Sequence, residues 1–314
     1  MRVSVITTLF NEADSVSLLI DSLLVQTRPP DEIIVADAGS TDGTRARLLD
    51  LAAAQPHLTV IDQLGNRSTG RNAAIGLAGG DAIACIDGGC IADPTWLEYL
   101  TAPLHEGVDW VAGFYRPEGV TLRSTCIGLV MVYVREEVDP ETFLPSGRSM
   151  AFSKEAWAQA GGFPERVDFA EDTLFDEQML ETGYRPHFAG NATVLWRPPS
   201  SYSALARTLF RWGRGDGEAG LRGVIYRRLL AVYAGTLIAV PIAGVLAWWA
   251  IPLALLPLAA DTLRRTRYKY RWAEGNAKYL HIPVAHLIAT CAVLFGFLVG
   301  RRIRRRSEGR RNGS

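Results

Sequence analysis

The sequence predicts an α/β fold: a mixed, largely parallel sheet flanked by helices, followed by C-terminal transmembrane or interfacial helices. Three observations carry this. Across residues 1–115, short apolar runs alternate with stretches of helical periodicity, which implies crossovers between parallel strands. Polar residues cluster just after the apolar runs, where open α/β sheets hold their ligands. Residues 229–260 and 279–300 contain no Lys, Arg, Asp or Glu.

The elements follow in order. MRVSVITTLF has one charge and an alternating apolar pattern, so residues 3–8 read as a first strand and not as a signal peptide. SVSLLIDSLLVQ (15–26) has helical spacing and stops before Pro29-Pro30. EIIVAD (32–37), LTVID (58–62), AIACID (82–87) and DWVAGFY (109–115) read as strands. Residues 42–55, 68–78 and 93–100 read as the helices between them. Residues 116–146 are mixed and predict no regular element. Beyond them come GRSMAF (147–152), a short helix ended by Gly161-Gly162, and a helix over 170–183. Two short strands, YRPHFA and ATVLWR, precede a basic amphipathic helix at 201–213.

The apolar C-terminal stretches set the class. As one helix, residues 229–260 would reach roughly 48 Å, more than the ~30 Å hydrocarbon core. A hairpin turning near Ala247-Trp248-Trp249 fits better, with the tryptophans at an interface. Arginines lie before this stretch (Arg222, Arg227, Arg228), after it (Arg264, Arg265, Arg267) and after the third segment (Arg301, Arg302, Arg304, Arg305, Arg306). The positive-inside rule puts all three clusters in the cytoplasm. Hence residues 279–300 are expected to lie in the interface or to dip in and return, in preference to crossing. The domain reading is a front part, 1–220, divided into 1–115 and 116–220, then a membrane region, 221–300, and a basic cytosolic tail, 301–314. Lys and Arg together equal Asp and Glu, 33 each, but residues 261–314 carry 13 basic against 3 acidic residues. The acidic front argues against nucleic acid as a partner, and the basic end favours an anionic surface. Cys85, Cys90, Cys126 and Cys291 show neither C-x-x-C nor a zinc spacing, so they read as reduced thiols.

The candidate chemistry lies in the loops. Asn11-Glu12 follows the first strand, Asp37-Ala38-Gly39-Ser40-Thr41-Asp42-Gly43 the second, Arg67 to Asn72 the third, and Asp87 the fourth. In a parallel sheet all four sets share one edge. A nucleotide needs such an edge: a carboxylate for a base N–H, polar groups for ribose and cations for a diphosphate. Glycines let the backbone approach it.

At these motifs the chain resembles the inverting nucleotide-sugar glycosyltransferases of family 2, which have the GT-A fold. VSVITTLFNE, VADAGSTDGT, GRNAAIGLAGGDAIACID, GRSMAFSKEAWAQAGGFPE and EDTLFDEQMLETGYR carry the resemblance, over about residues 1–220. It implies that Thr8, Asn11, Glu12 and Asp37 bind the nucleoside. Arg71 would contact pyrophosphate or nucleoside, and Asp87 the ribose or a metal. Glu171-Asp172 would be the acidic pair, with Asp172 the general base that takes the acceptor proton. It also implies a nucleotide-sugar donor, UDP- or GDP-linked, and a lipid-linked or glycan acceptor in the cell envelope. The enzyme would be anchored in the cell membrane with its catalytic domain in the cytoplasm.

Two departures from the family pattern matter. Its Asp-x-Asp is here Asp87-Gly88-Gly89, so one carboxylate is left for Mg²⁺ or Mn²⁺. Magnesium is commonly held by one or two carboxylates plus substrate phosphates, so the loss weakens the site without abolishing it. Cys90, a soft ligand, is a poor substitute. RWGRGDG resembles the Gln-x-x-Arg-Trp motif with Thr208 in place of Gln, which favours single transfer over processive synthesis. Arg211 and Arg214 would add charge for the diphosphate, and Trp212 would shape the acceptor site. A membrane-tethered nucleotide-sugar-binding protein with little catalysis is the alternative, motivated by Gly89 and Thr208. A nucleotidyltransferase is disfavoured, because TLFNEADS is no Gly-rich phosphate loop.

Overall fold

The computed structural model describes residues 1–311, with side chains through residue 308. Residues 312–314 of the expected basic tail lie outside the described residues. The chain forms two compact units: Met1–Pro117 with Val138–Arg197, and Glu118–Glu137 with Pro198–Ser314.

The first unit alternates as its sequence does: β1 (Val3–Leu9), α1 (Val16–Leu24), β2 (Glu32–Asp37), α2 (Thr44–Ala54), β3 (Leu58–Asp62), α3 (Arg67–Leu77), β4 (Ala82–Cys85), β5 (Cys90–Ala92), α4 (Trp96–His105) and β6 (Trp110–Pro117). After α5 (Leu122–Met131), which belongs to the second unit, come β7 (Met150–Ser153), α6 (Lys154–Gln159), α7 (Glu171–Glu181) and β8 (His187–Trp196). The eight strands form one sheet in the order β3-β2-β1-β4-β7-β6-β8-β5. β3, β2, β1 and β4 are parallel, β7 runs against both β4 and β6, and β8 is parallel to β6. The sheet is therefore mixed, with its parallel half at the N-terminal side. The two short strands expected at 184–189 and 192–197 are one strand, β8, and β5 was not foreseen.

Strand period explains why there are two cores. Successive side chains point to opposite faces, so Val5 and Ile33 join one cluster with Leu19, Trp96 and Leu100, while Ile6 and Ile34 join another with Phe152, Phe163 and Phe175. Helices cover both faces, as a buried parallel sheet requires.

The second unit is helical: α5, then α8 (Tyr202–Ala219), α9 (Gly223–Leu246), α10 (Ile251–Thr266) and α11 (Lys278–Arg311). α5 corrects the expectation of irregular chain at 116–146. It opens on a capping box in which Thr121 Oγ1 accepts from Ser124 N–H and Ser124 Oγ accepts from Thr121 N–H. Its buried Cys126 and Leu129 meet Ala273 and Ile282, and Ile127 meets Leu205, Leu209 and Ala285. These contacts, not chain order, divide the molecule at Pro117, Glu137 and Arg197, whereas the sequence reading put the boundary near residue 220.

α8 and α11 approach closely because each carries two glycines one turn apart. A Cβ at Gly213 or Gly217 would strike the carbonyl oxygen of Val293 or Phe297. A Cβ at Gly296 or Gly300 would strike that of Phe210 or Arg214. This is the small-residue spacing by which membrane helices bring their backbones together. α9 and α10 are joined by one 3₁₀ turn, Trp248–Ala250, and pack on each other, with Trp248 and Trp249 exposed at the tip. α11 runs unbroken through residues 279–300 into the arginines, about 51 Å at 1.5 Å per residue. The dip-and-return option for the third segment is thereby corrected: Pro283 forfeits one backbone bond near the helix start, and the helix continues. Among the described residues, Gly223–Leu246 and Lys278–Glu308 are long and apolar enough to cross a membrane, whereas α10 has only 16 residues.

Candidate active site

Three loops leave the same edge of the first unit. Parallel pairing sets Thr8 beside Ala36 and Leu9 beside Asp37, and β4 runs alongside β1 in the same direction. The loops after β1 and β2 are laced together. Asn11 N–H donates to Ser40 Oγ (2.9 Å), Thr41 N–H to Asn11 Oδ1 (2.8 Å) and Glu12 N–H to Thr44 Oγ1 (2.8 Å). Asn11 sits at φ 56°, in the left-handed region that asparagine tolerates better than most residues. Thr8 lies against Gly70 of α3, and Glu12 against Gly88. Asp37 is buried, and its carboxylate accepts from Ser40 Oγ (2.5 Å) and Ser40 N–H (3.2 Å). As placed, Asp37 orders the loop after β2.

Arg71 is the centre of the carboxylate cluster. It lies on α3, whose start is capped by Asn66 Oδ1 accepting from Thr69 N–H (3.0 Å). Its side chain is only 3% exposed. One guanidinium nitrogen donates to Asp87 Oδ1 (2.7 Å), and another to Asp172 Oδ1 (2.6 Å) with Glu171 Oε1 at 3.6 Å. The guanidinium also lies over the Phe163 ring, 5.0 Å from its centroid. Asp172 Oδ2 accepts from Gly147 N–H (2.9 Å) and from the Ser146 hydroxyl (3.4 Å). Gly147 must be glycine here, because a Cβ would collide with the Arg71 guanidinium. The acidic pair opens α7 directly after Ala170, whose φ of 67° is strained for a residue with a Cβ.

These contacts set the charge states. Burial alone would raise the Asp172 carboxyl, but Arg71, the Gly147 N–H and Arg148 outweigh it and hold the group below its ordinary 3.8. Burial and the Asp172 charge push Glu171 up, and Arg71 and Arg67 offset only part of that. Burial raises the thiols of Cys85 and Cys90, so neither is a thiolate at neutral pH. By its softness, Cys90 remains a poor partner for Mg²⁺ or Mn²⁺.

For a metal, the chain supplies little on its own. Among the described residues no group of three or more His, Cys, Asp or Glu is placed to share one. Asp87 fits as a single hard ligand: Oδ1 is held by Arg71, which orients Oδ2. Gly89, at φ 72°, contributes no carboxylate. Mg²⁺ or Mn²⁺ would complete its shell from donor phosphates and water.

The sequence-predicted residues thus divide. Asp87, Glu171 and Asp172 meet at Arg71, and Thr8, Asn11, Glu12 and Asp37 line the loops beside them on the same sheet edge. Arg211, Trp212 and Arg214 belong to α8 in the second unit. There Arg211 is exposed, Arg214 pairs with Glu218 (3.0 Å), and Trp212 packs beside Leu205 and Leu209. Sequence reasoning missed Ser146, Gly147 and Arg148. Their signal was a Gly-Arg pair one residue ahead of the apolar strand MAFS.

Residues 4–125 match the family model for glycosyl transferase family 2. Glycosyltransferase AglE of Haloferax volcanii is 25% identical over 239 residues, 73% of this chain and 78% of that protein. An undecaprenyl-phosphate 4-deoxy-4-formamido-L-arabinose transferase of Yersinia enterocolitica is 36% identical over 121 residues, 35% of this chain and 36% of that protein. Among solved structures, the mannosyltransferase PcManGT of Pyrobaculum calidifontis, in complex with GDP-Man and Mn²⁺, superposes with a TM-score of 0.58 at 20% identity, covering 94% of this chain and 87% of that one. With its GT-A-like sheet, its carboxylates gathered at one edge and these relatives, the chain carries a glycosyl transferase family 2 domain over residues 4–125 and is a glycosyltransferase.

Proposed function

We propose that the protein transfers a glycosyl group from a UDP- or GDP-linked sugar to a lipid-linked or cell-envelope acceptor, with inversion at the anomeric carbon. The observation that carries this reading is the shared guanidinium: Arg71 bonds to Asp87 and Asp172 at once, so the donor-side carboxylate and the base candidate flank one point. The acceptor oxygen forms its bond to the anomeric carbon as the bond to the diphosphate breaks. The electron pair leaves with the diphosphate, and Asp172 takes the acceptor proton. Arg71 and the Gly147 N–H keep Asp172 ionised and fixed in direction. Ser40 and the loops after β1 and β2 would frame the nucleoside beside Asp37, with Thr8, Asn11 and Glu12. Mg²⁺ or Mn²⁺ on Asp87 would supply positive charge for the donor phosphates.

A lipid-linked acceptor is supported by the undecaprenyl-phosphate transferase among the relatives, and a nucleotide donor with a divalent metal by the GDP-Man and Mn²⁺ of the structural neighbour. The two long apolar helices support anchoring in the cell membrane, and their arginine flanks support a cytoplasmic catalytic unit.

The test uses the purified full chain in detergent with a panel of nucleotide sugars, each with and without Mg²⁺ or Mn²⁺. Transfer to a membrane lipid extract is scored against hydrolysis. Asp172→Asn is expected to lower transfer by about 100-fold or more while nucleotide binding persists, as loss of a positioned general base does. Full transfer by Asp172→Asn would remove Asp172 as the base.

A further inference from the structure

A diphosphate brings concentrated negative charge to a cleft that already holds Asp87, Glu171 and Asp172. Arg71 is committed to those three carboxylates. A second fixed cation is therefore needed where the phosphates lie, and the first unit contains one. Arg148 sits in the tight turn Ser146–Ser149, closed by Ser149 N–H donating to the Ser146 carbonyl (2.8 Å). Its guanidinium lies over the rings of Trp196 and Tyr115, with centroids at 4.7 and 5.2 Å. Trp196 is paired with Cys90 across the β5–β8 ladder, and Arg197 N–H donates to the Gly89 carbonyl (3.3 Å). The aromatic platform thus stands against the turn that presents Asp87. On the other side, Arg148 donates to Ser146 Oγ (3.2 Å), whose hydroxyl donates to Asp172.

We propose that Arg148 is a phosphate-binding residue, and that its ligand is the diphosphate of the donor. This rests on the donor assignment made above. The rings hold the guanidinium by its faces, and the in-plane N–H groups are those that pair with phosphate oxygens. The position beside the Asp87 turn favours the donor over a phosphate on the acceptor. Arg148 thereby supplies part of the charge that a second carboxylate-held metal ion would otherwise provide.

The experiment is calorimetric titration of the full chain in detergent with UDP and with GDP, in EDTA and in Mn²⁺. The variants are Arg148→Gln and Arg148→Lys, with thermal melts to confirm folding. Arg148→Gln is expected to weaken the preferred nucleotide by about tenfold or more in EDTA, the value of a charge-assisted hydrogen bond. Arg148→Lys should recover part of the loss, since it keeps the charge without the planar fork. Equal affinities for wild type and Arg148→Gln in both conditions would overturn the proposal. A parallel arm measures binding of a polyprenyl phosphate in detergent micelles, and a loss confined to that arm would overturn the donor assignment of Arg148. If the wild-type chain binds neither nucleotide under either condition, the donor reading itself falls, and this inference with it.

Discussion

Arg71 makes two oppositely perturbed carboxyls out of neighbours in sequence. Asp172 meets the guanidinium head-on and is held below 3.8, while Glu171, further away and more buried, is raised above 4.5. The signs of their contributions to stability differ accordingly. A depressed carboxyl adds stability above its unfolded value and gives it up only as the pH falls through its folded value. A raised one does the reverse: its contribution is fully present below the unfolded value and is lost as the pH rises through the folded value. Glu171 is therefore a net cost at neutral pH. Glu171→Gln is expected to raise the melting temperature at pH 7 and to flatten its dependence on pH just above 4.5, as followed by melts across a pH series. Acid sensitivity below 3.8 should survive in that variant, because it belongs to Asp172. A melting temperature lowered at pH 7 would mean that the ion pairs of Glu171 with Arg67 and Arg71 outweigh its burial.

Elements differ in how plainly the sequence announces them, and the reasons are physical. β1 to β4 and their helices were legible because apolar runs and turn residues alternate with the period each element demands. α5 was not, because LRSTCIGLVM is apolar on several sides and packs against several partners, so it shows no single wet face. β5 is three residues long and is defined by its pairing with β8. The sequence named Arg71, Asp87 and the Glu171-Asp172 pair separately, each from its own motif, but not their meeting: Arg71 and Asp172 are 101 positions apart, and no local pattern joins them. The glycines of α8 carry no sequence signal of their role, since helix glycines ordinarily read as weak points. Here two of them are contact surfaces. That reading predicts opposite signs for one substitution at two places. Gly235→Ala on α9, where a Cβ meets nothing, should stabilise the detergent-solubilised protein by about 0.5–1 kcal/mol through helix propensity. Gly217→Ala on α8, where a Cβ strikes the Phe297 carbonyl, should destabilise it by about 1–3 kcal/mol through overpacking. Thermal unfolding of the two variants side by side decides the matter.

At the scale of the whole molecule, the two units are interleaved along the chain. It leaves the first unit after Pro117, builds α5 into the second, and returns at Val138. A protein cut after Arg197 would keep α5 but lose α8 and α11, the helices that cover Cys126, Ile127 and Leu129. Such a truncation is expected to aggregate, whereas the same truncation with residues 118–137 replaced by a flexible linker of equal length should be monomeric by gel filtration and still bind nucleotide. Aggregation of both would show that the first unit depends on more than the removal of α5. The same threading bears on inheritance. A chimera that joins the front of this gene to the membrane helices of a relative takes α5 from one parent and its seat from the other. Recombination at the visible border near Arg197 therefore mismatches a buried surface, and exchange succeeds only when the short segment between Pro117 and Val138 travels together with the distant C-terminal helices.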